Sequence, residues 1–531
     1  RLAASGGWEL DEGVLFLVDE LLRCEAALGP QARRALCFLV TAALVNQRRG
    51  STRLPLGDGT LPRLLDDLGA TSADREALER LLASEIGSLG IVGAVGERKP
   101  LLLDGEHLYL QKMWRHESSL AQALLSRMAL APALPERARL ERELAAVLGR
   151  VPSPGGRPAR LSEEQREAVL TALRLPLAVI SGGPGTGKTS IVVSILRMLV
   201  RLDTPLEGIA LAAPTGKAAN RMAESIRSYL GAIASPGEED VRLAEACPEP
   251  LTLHRLLGFS PRSERFLHHE KNPLAASVVI VDEASMIDVY LMDRLLRAMR
   301  GDARLVLLGD AEQLPSVDAG AVLRDLLPPP GVEDARSKFS ARLTQSFRMD
   351  ESDPAGRNIL SVARAINGGS VQRLFEGEEP IRERRTVAEV EFEKVELLGP
   401  GDAAGRTAGA ALDAFLARWD EERVRGLSDF DELARREYVH DAGAFLPEDE
   451  RALERLFGHF EGQRILCVTR GEALPTGADS VNLALHRMAL SRPGGAGHRE
   501  GGFLPAEPVM VQRNDYLRGL YNGDQGLVLR V

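Results

Sequence analysis

The sequence predicts an α/β fold preceded by a mainly helical N-terminal region. Three observations lead there. Four short runs are apolar throughout, as expected of parallel strands buried on both faces. Helical patterns alternate with these runs, which implies one sheet with right-handed crossovers. A glycine-rich loop lies between the first run and an apolar helical stretch. The chain has 531 residues, and at roughly 150 residues per domain it is long enough for three or four domains.

Composition narrows the class. The chain is 44% hydrophobic and 27% charged, which indicates folded cores rather than disorder. Aromatics are only 4%, so those cores must be aliphatic. Lys plus Arg is 66 against 76 for Asp plus Glu, a net charge of −10. That excludes a globally basic nucleic-acid coat protein but leaves room for a local basic groove. Cys24, Cys37, Cys247 and Cys467 form no CxxC pair, so neither a zinc ribbon nor a disulfide framework is indicated. Reduced thiols in a cytoplasmic protein are the expectation. No run of ~18 apolar residues appears, so no membrane span is expected. No signal peptide is recognisable, and the start at Arg1 rather than Met reads as a trimmed chain.

Residues 1–150 read as a helical, partner-binding domain. Leu15, Val18, Leu21 and Leu22 recur at helical spacing, as do Leu36, Leu39, Val40 and Leu44. Trp114, with Tyr109 and His116 nearby, suits a core or partner interface better than a base-stacking platform. Val151-Pro-Ser-Pro-Gly-Gly-Arg-Pro158 is a linker, and the first boundary falls there. The expected strands are Leu177–Ile180, Ile209–Ala213, Val278–Val281 and Leu305–Leu308. The texture changes again at Pro328-Pro-Pro-Gly331, giving domains 151–345 and 346–531. Residues 380–460 are charge-rich and carry no readable motif. Strand-like runs return at Ile465–Thr469 and Val509–Gln512. Asn522-Gly523, flanked by Leu520 and Leu527–Leu529, has the composition of a type I′ hairpin turn. No internal repeat is visible.

The chemistry concentrates in three places. Gly182-Gly-Pro-Gly-Thr-Gly-Lys-Thr189 satisfies GxxxxGK[ST], between a strand and a helix expected from Ser190 to Val200. Glycines let backbone N–H groups turn toward phosphate oxygens, and the helix N-terminus adds a favourable dipole. Gly183, Pro184, Gly185, Thr186, Gly187, Lys188, Thr189 and Ser190 are therefore candidate ATP contacts. Lys188 reaches the outer phosphates, and the Thr189 hydroxyl ligates Mg²⁺. Val278-Val-Ile-Val-Asp-Glu283 ends a strand in two acids: Asp282 for Mg²⁺, Glu283 as general base for the attacking water. A third strand leads into Gly309-Asp-Ala-Glu-Gln-Leu-Pro315, where Gln313 suits a nucleotide-state sensor.

Together with Gln345-Ser-Phe-Arg348, Ala213-Pro-Thr-Gly-Lys-Ala-Ala219 and Thr252-Leu-His-Arg-Leu-Leu257, these motifs resemble superfamily 1 DNA helicases. Within them the chain is most similar to the RecD family, the alpha subunits of bacterial exodeoxyribonuclease V. Leu108-Tyr-Leu-Gln-Lys-Met-Trp-Arg115, His268-His-Glu-Lys-Asn-Pro-Leu274, Pro508–Tyr516 and Asn522-Gly-Asp-Gln-Gly526 extend the resemblance over nearly the whole chain. It implies two RecA-like lobes, the second incomplete. It implies that Gln165 in Leu161-Ser-Glu-Glu-Gln-Arg166 recognises adenine, and that Arg348 reaches the γ-phosphate. It implies that Pro214, Thr215, Thr252 and His254 touch single-stranded DNA, although a histidine at a helix start also fits His254. Lys217 and Arg221 suit phosphate contact and plain solvation equally.

The resemblance further implies an ATP- and Mg²⁺-dependent 5′→3′ helicase. Its implied partners are single-stranded and duplex-end DNA and RecB-like and RecC-like subunits in a heterotrimer, with the nuclease in another subunit. Two other readings stand beside it: a nucleotide-binding scaffold without productive translocation, and a stand-alone superfamily 1 helicase. The family continues beyond a hairpin like Asn522–Leu529 with segments resembling His-Lys-Ser-Gln-Gly and Thr-Arg-Ala. Their absence here reads as truncation.

Overall fold

The computed structural model describes residues 12–530, except 132–135, 153–159, 315, 317, 330, 348–352, 377–380, 400–407, 442–443, 472–473, 492–501, 514, 516, 517, 519 and 521. The linker expected at Val151–Pro158 therefore lies mostly outside the described residues, as does Arg348. The chain divides into two compact units, Arg1–Arg348 and Met349–Val531.

The first unit begins with helices Glu12–Arg23, Pro30–Arg48, Thr60–Asp67 and Ser72–Arg80. Val14, Val18, Leu21 and Leu22 share the buried face of the first, while Leu15, one residue round the helix, is exposed. Leu36, Leu39, Val40 and Leu44 are all buried in an aliphatic core. The sequence reading missed a small sheet here. Strands β1 (Arg53–Pro55), β2 (Val92–Ala94), β3 (Leu101–Asp104) and β4 (His107–Leu110) pair in the order β1-β4-β3-β2. The following helix, Gln111–Met128, packs on helix Val289–Ala298, where His116 Nδ1 lies 2.8 Å from Asp293 Oδ2. Tyr109 and His116 are buried, in keeping with the core reading.

The main sheet has strands β5 (Leu177–Gly182), β6 (Ile209–Ala213), β7 (Leu251–Thr252), β10 (Val278–Val281), β11 (Arg304–Gly309) and β12 (Ser340–Leu343). A short hairpin, β8 (Phe259–Ser260) with β9 (Arg265–Phe266), interrupts the series. The order is β12-β5-β11-β10-β6-β7, and every pairing is parallel. The four expected strands are all present and extended by at most two residues. Their continuous apolarity has a direct cause: successive side chains alternate faces, and both faces are covered. Leu177, Val179, Val279, Val281, Leu305 and Leu307 enter one core. Ala178, Ile180, Val278, Ile280, Val306 and Leu308 enter the other, beneath helices Glu163–Arg174 and Lys188–Arg201.

The second core encloses charge. Arg197, on helix Lys188–Arg201, places Nε 2.9 Å from Asp240 Oδ1, both side chains 1% exposed. Arg201 contributes at 3.0 Å to the same carboxylate, and the Gly237 N–H donates to it at 2.9 Å. Burial pushes the Asp240 carboxyl up in pKa. The Arg197 and Gly237 donors and the two guanidinium charges outweigh that and hold it below its ordinary value. Breaking a buried pair leaves an uncompensated charge. Asp240→Ala is therefore expected to lower unfolding stability by about 3–5 kcal/mol, read by denaturant titration; a change near zero would show the arginines finding other partners.

The second unit holds helices Pro354–Asn367, Ala408–Trp419, Phe430–Arg435, Pro447–Glu461 and Ala478–Leu490, with two-stranded sheets between them. Two expectations are corrected here. Ile465–Thr469 forms no strand among the described residues, and Leu466 and Val468 are exposed. Strand propensity is realised only where a neighbour completes the ladder. Gly523 does turn, at φ 94°, but it does not close a two-residue hairpin on Leu520. Strand Pro508–Met510 pairs with Gln525–Leu527 across a longer connection, and Leu520 bridges Asp515. No helix among the described residues is long and apolar enough to cross a membrane.

Candidate nucleotide and DNA site

All six strands of the main sheet run parallel, so their C-terminal ends share one edge, where ligands bind in open α/β sheets. The glycine-rich loop leaves β5 at this edge and turns directly into helix Lys188–Arg201. Gly187, at φ +81°, caps that helix in the left-handed region, and a Cβ there would collide with the Gln165 amide. Lys188 Nζ folds back onto the loop, donating to Gly182 O at 2.5 Å and Gly183 O at 3.3 Å. Thr186 is buried and donates to Gly183 O at 2.9 Å. Thr189 sits in the first turn of the helix. The Ser190 hydroxyl is 3.2 Å from Tyr229 Oη, directed at helix Gly216–Gly231. The loop fits a phosphate chain: glycines where the backbone must approach, a helix N-terminus behind, and a lysine on the lip.

Gln165 closes the back of the loop. Ser162 and Gln165 form a capping box at the start of helix Glu163–Arg174. Gln165 accepts from Ser162 N at 2.8 Å and donates to Thr186 O at 2.8 Å. The buried glutamine therefore braces the loop, a role its sequence context only hinted at through the Ser-x-x-Gln pattern.

Strand β11 lies between β5 and β10, which sets the acids one strand away from the loop strand's neighbour. Asp282 follows β10 and accepts from the Glu283 N–H at 2.9 Å. Burial pushes its carboxyl up to about 6. The Glu283 charge pushes the same way, while the Glu283 N–H and the Lys188 charge pull it down. A divalent cation would compensate that buried carboxylate. Among the described residues no group of three or more His, Cys, Asp or Glu side chains could hold a metal. Thr189 and Asp282 could hold such a cation together with phosphate oxygens and water.

Glu283 has left-handed backbone at φ 52°, ψ 36°, a conformation unusual for glutamate. Gly309 makes room for that turn. A Cβ at Gly309 would sit 3.0 Å from Ser285 N and 3.3 Å from Ala284 N. Gly309→Ala is accordingly expected to depress ATP hydrolysis more than nucleotide binding, measured by turnover against binding of a fluorescent ADP. Equal losses in both would mean that the substitution disturbs the whole sheet edge. After β11, the Ala311 N–H donates to Ser181 Oγ at 3.1 Å, which ties this loop to β5. Gln313 stands exposed on the same loop.

The expected DNA contacts lie farther along this edge. Ala213 pairs with Thr252, so Pro214-Thr215 and Leu253-His254 start from adjacent strand ends. Both threonines cap helices: Thr215 Oγ1 accepts from Ala218 N, and Thr252 Oγ1 from Arg255 N, each at 3.2 Å. The His254 ring packs against Phe259 and Phe266 at centroid distances of 5.3 and 6.0 Å. Burial lowers its pKa from the ordinary histidine value against a smaller opposing pull from Asp288. His254 therefore offers a ring edge or a hydrogen bond more readily than a cation. Arg221 is exposed and Lys217 half-buried on helix Gly216–Gly231.

A family profile described as AAA domain matches residues 165–319. The RecBCD enzyme subunit RecD of Mycolicibacterium smegmatis is 33% identical over 454 residues, covering 84% of this chain and 68% of that protein. The chain belongs to the RecD family. The RecD subunit of Haemophilus influenzae is 31% identical, covering 69% of this chain and 57% of its own. The ATP-dependent RecD2 DNA helicase of Deinococcus radiodurans is 30% identical, covering 98% and 58%. The chain thus spans between 57% and 68% of the length of these RecD relatives.

Proposed function

We propose that this chain is the motor portion of an ATP-driven 5′→3′ DNA helicase subunit. In this reading it acts with RecB-like and RecC-like subunits on duplex ends during recombinational repair. The observation that carries the reading is the shared sheet edge. Lys188, Thr189, Asp282, Glu283 and Gln313 stand there beside Pro214, Thr215, Thr252 and His254. The 5′→3′ polarity and the partner subunits rest on family membership.

Bound ATP and Mg²⁺ supply the transferable phosphoryl group and the charge that orients it. Lys188 leaves the Gly182 and Gly183 carbonyls to neutralise phosphate oxygens. Thr189 and Asp282 hold the cation, and Gln165 keeps the loop braced and meets the adenine. Glu283 accepts the proton of the attacking water, while Gln313 reads the outer phosphate. Arg348, directly after Phe347, adds a cation where negative charge develops. A scaffold reading has no need for a general base beside the metal ligand, so the complete set favours a motor.

The test is ATP hydrolysis by the purified chain with and without a single-stranded oligonucleotide, beside a longer form matching the RecD relatives. Lys188-dependent stimulation by DNA in the longer form is the expected result. Affinity for DNA is expected to fall linearly in log salt. Nucleotide binding with no stimulation in either form, alone or with partner subunits, would overturn the motor reading.

A further inference from the structure

Glu164 stands between the two capping-box residues, but its carboxylate faces another element. Thr344, 180 residues away, donates its N–H to Glu164 Oε2 at 2.8 Å and its hydroxyl to Oε1 at 2.6 Å. One threonine thus occupies both oxygens. Burial raises the Glu164 pKa, and the Thr344 and Gln345 donors lower it further than that, so the carboxylate is held ionised. The contact is built for the charged form.

From Thr344 the chain crosses to the nucleotide loop. Ser346 Oγ donates to Pro184 O at 3.1 Å, and Phe347 N to Gly185 O at 2.8 Å. Residues 344–347 therefore form a strap, clipped at one end to the helix that carries Gln165 and at the other to the loop tip. Its root is fixed as well. Leu343 pairs with Gly182, and a Cβ on Gly182 would come within 2.9 Å of Leu343 Cβ. The next residue along the chain is Arg348.

The geometry points to Glu164 and Thr344 as a positioning pair that sets the register of this strap on the nucleotide loop, and so the placement of the loop's own groups. The inference rests on the proposed ATP reading. Neither residue touches the nucleotide in it. The Ser346 and Phe347 bonds of the strap end on carbonyls of the loop itself. The Glu164 clip is anchored on helix Glu163–Arg174, outside that loop. Misplacing a catalytic group by about 1 Å costs up to about a hundredfold in rate.

The test uses Glu164→Gln, Thr344→Val and the conservative Thr344→Ser in the DNA-stimulated enzyme. Glutamine keeps the shape but sets an amide donor against a Thr344 donor. Glu164→Gln and Thr344→Val are expected to lower kcat by about ten- to a hundredfold. KM for ATP and the Kd of a fluorescent ADP should stay within about twofold, and Thr344→Ser should retain most of the rate. The double variant should be no worse than either single one. A tryptophan at the exposed Phe347 position (Phe347→Trp) reports the strap without turnover: acrylamide quenching should rise when Glu164→Gln is added. Wild-type kcat in both disabling variants, a KM rise matching the rate loss, or Thr344→Ser as poor as Thr344→Val would overturn the pair's role. If the parent enzyme shows no Lys188-dependent hydrolysis, the ATP reading fails instead, and the quenching result still decides whether the clip holds the strap.

Discussion

Glu283→Gln is expected to lower DNA-stimulated ATP hydrolysis by about 10²–10⁴-fold with nucleotide affinity left within about twofold. Glutamine has the same shape, and its amide oxygen keeps a hydrogen-bond acceptor near the water. What it removes is the ability to take the proton. The structure prepares this residue specifically. It follows Asp282 at the end of β10 and holds a left-handed backbone at the turn for which Gly309 on β11 leaves room. Strain of this kind persists only where the surroundings enforce it. Turnover with a single-stranded oligonucleotide and binding of a fluorescent ADP measure the two halves of the prediction. A loss of less than about tenfold would assign the base to another group on this edge. A matching loss of nucleotide affinity would mean that Glu283 serves the metal site rather than the water.

The parts of this fold that the sequence revealed share one property: their pattern does not depend on distant partners. Val278–Val281 and Ile209–Ala213 are apolar because the sheet is covered on both faces, and any such sheet writes the same run. The glycine-rich loop is legible because its backbone demands glycine at Gly187. Other features depend on what arrives from elsewhere. Strand β12 reads Ser-Ala-Arg-Leu, and only its place beside β5 makes it a strand. Strands β1 to β4 have three or four residues each, too short to show a period against the helices around them. Ile465–Thr469 has the opposite history, a strand pattern without a neighbour to pair with. The Glu164–Thr344 clip joins residues 180 apart, and neither residue is unusual in its own surroundings. The Gln165 brace lies between these cases: the Ser-x-x-Gln spacing is a signal that could have shown its capping box, but its bond to Thr186 required the loop to fold over it.

Lys188→Gln is the other large effect, expected at about 10²–10³-fold in kcat, with strand separation by the assembled enzyme abolished. The lysine ammonium rests on the Gly182 and Gly183 carbonyls, and glutamine can still donate to those oxygens. The loop is therefore expected to keep its shape, and the loss to fall on the charge that phosphate oxygens require. That separation makes the variant informative about more than hydrolysis. Among the described residues the Lys188 ammonium bonds to carbonyls of its own loop, so assembly with partner subunits should proceed as in the parent protein. A complex that forms normally but neither hydrolyses ATP nor moves along DNA would tie movement to this one charge. A complex that still unwinds DNA would place the driving hydrolysis in another subunit and make this nucleotide site regulatory. The buried Arg197–Asp240 pair supplies the control. Asp240→Ala weakens the same helix from its far end without touching the loop. Rate loss there should follow the fraction unfolded, whereas in Lys188→Gln it should appear in fully folded protein.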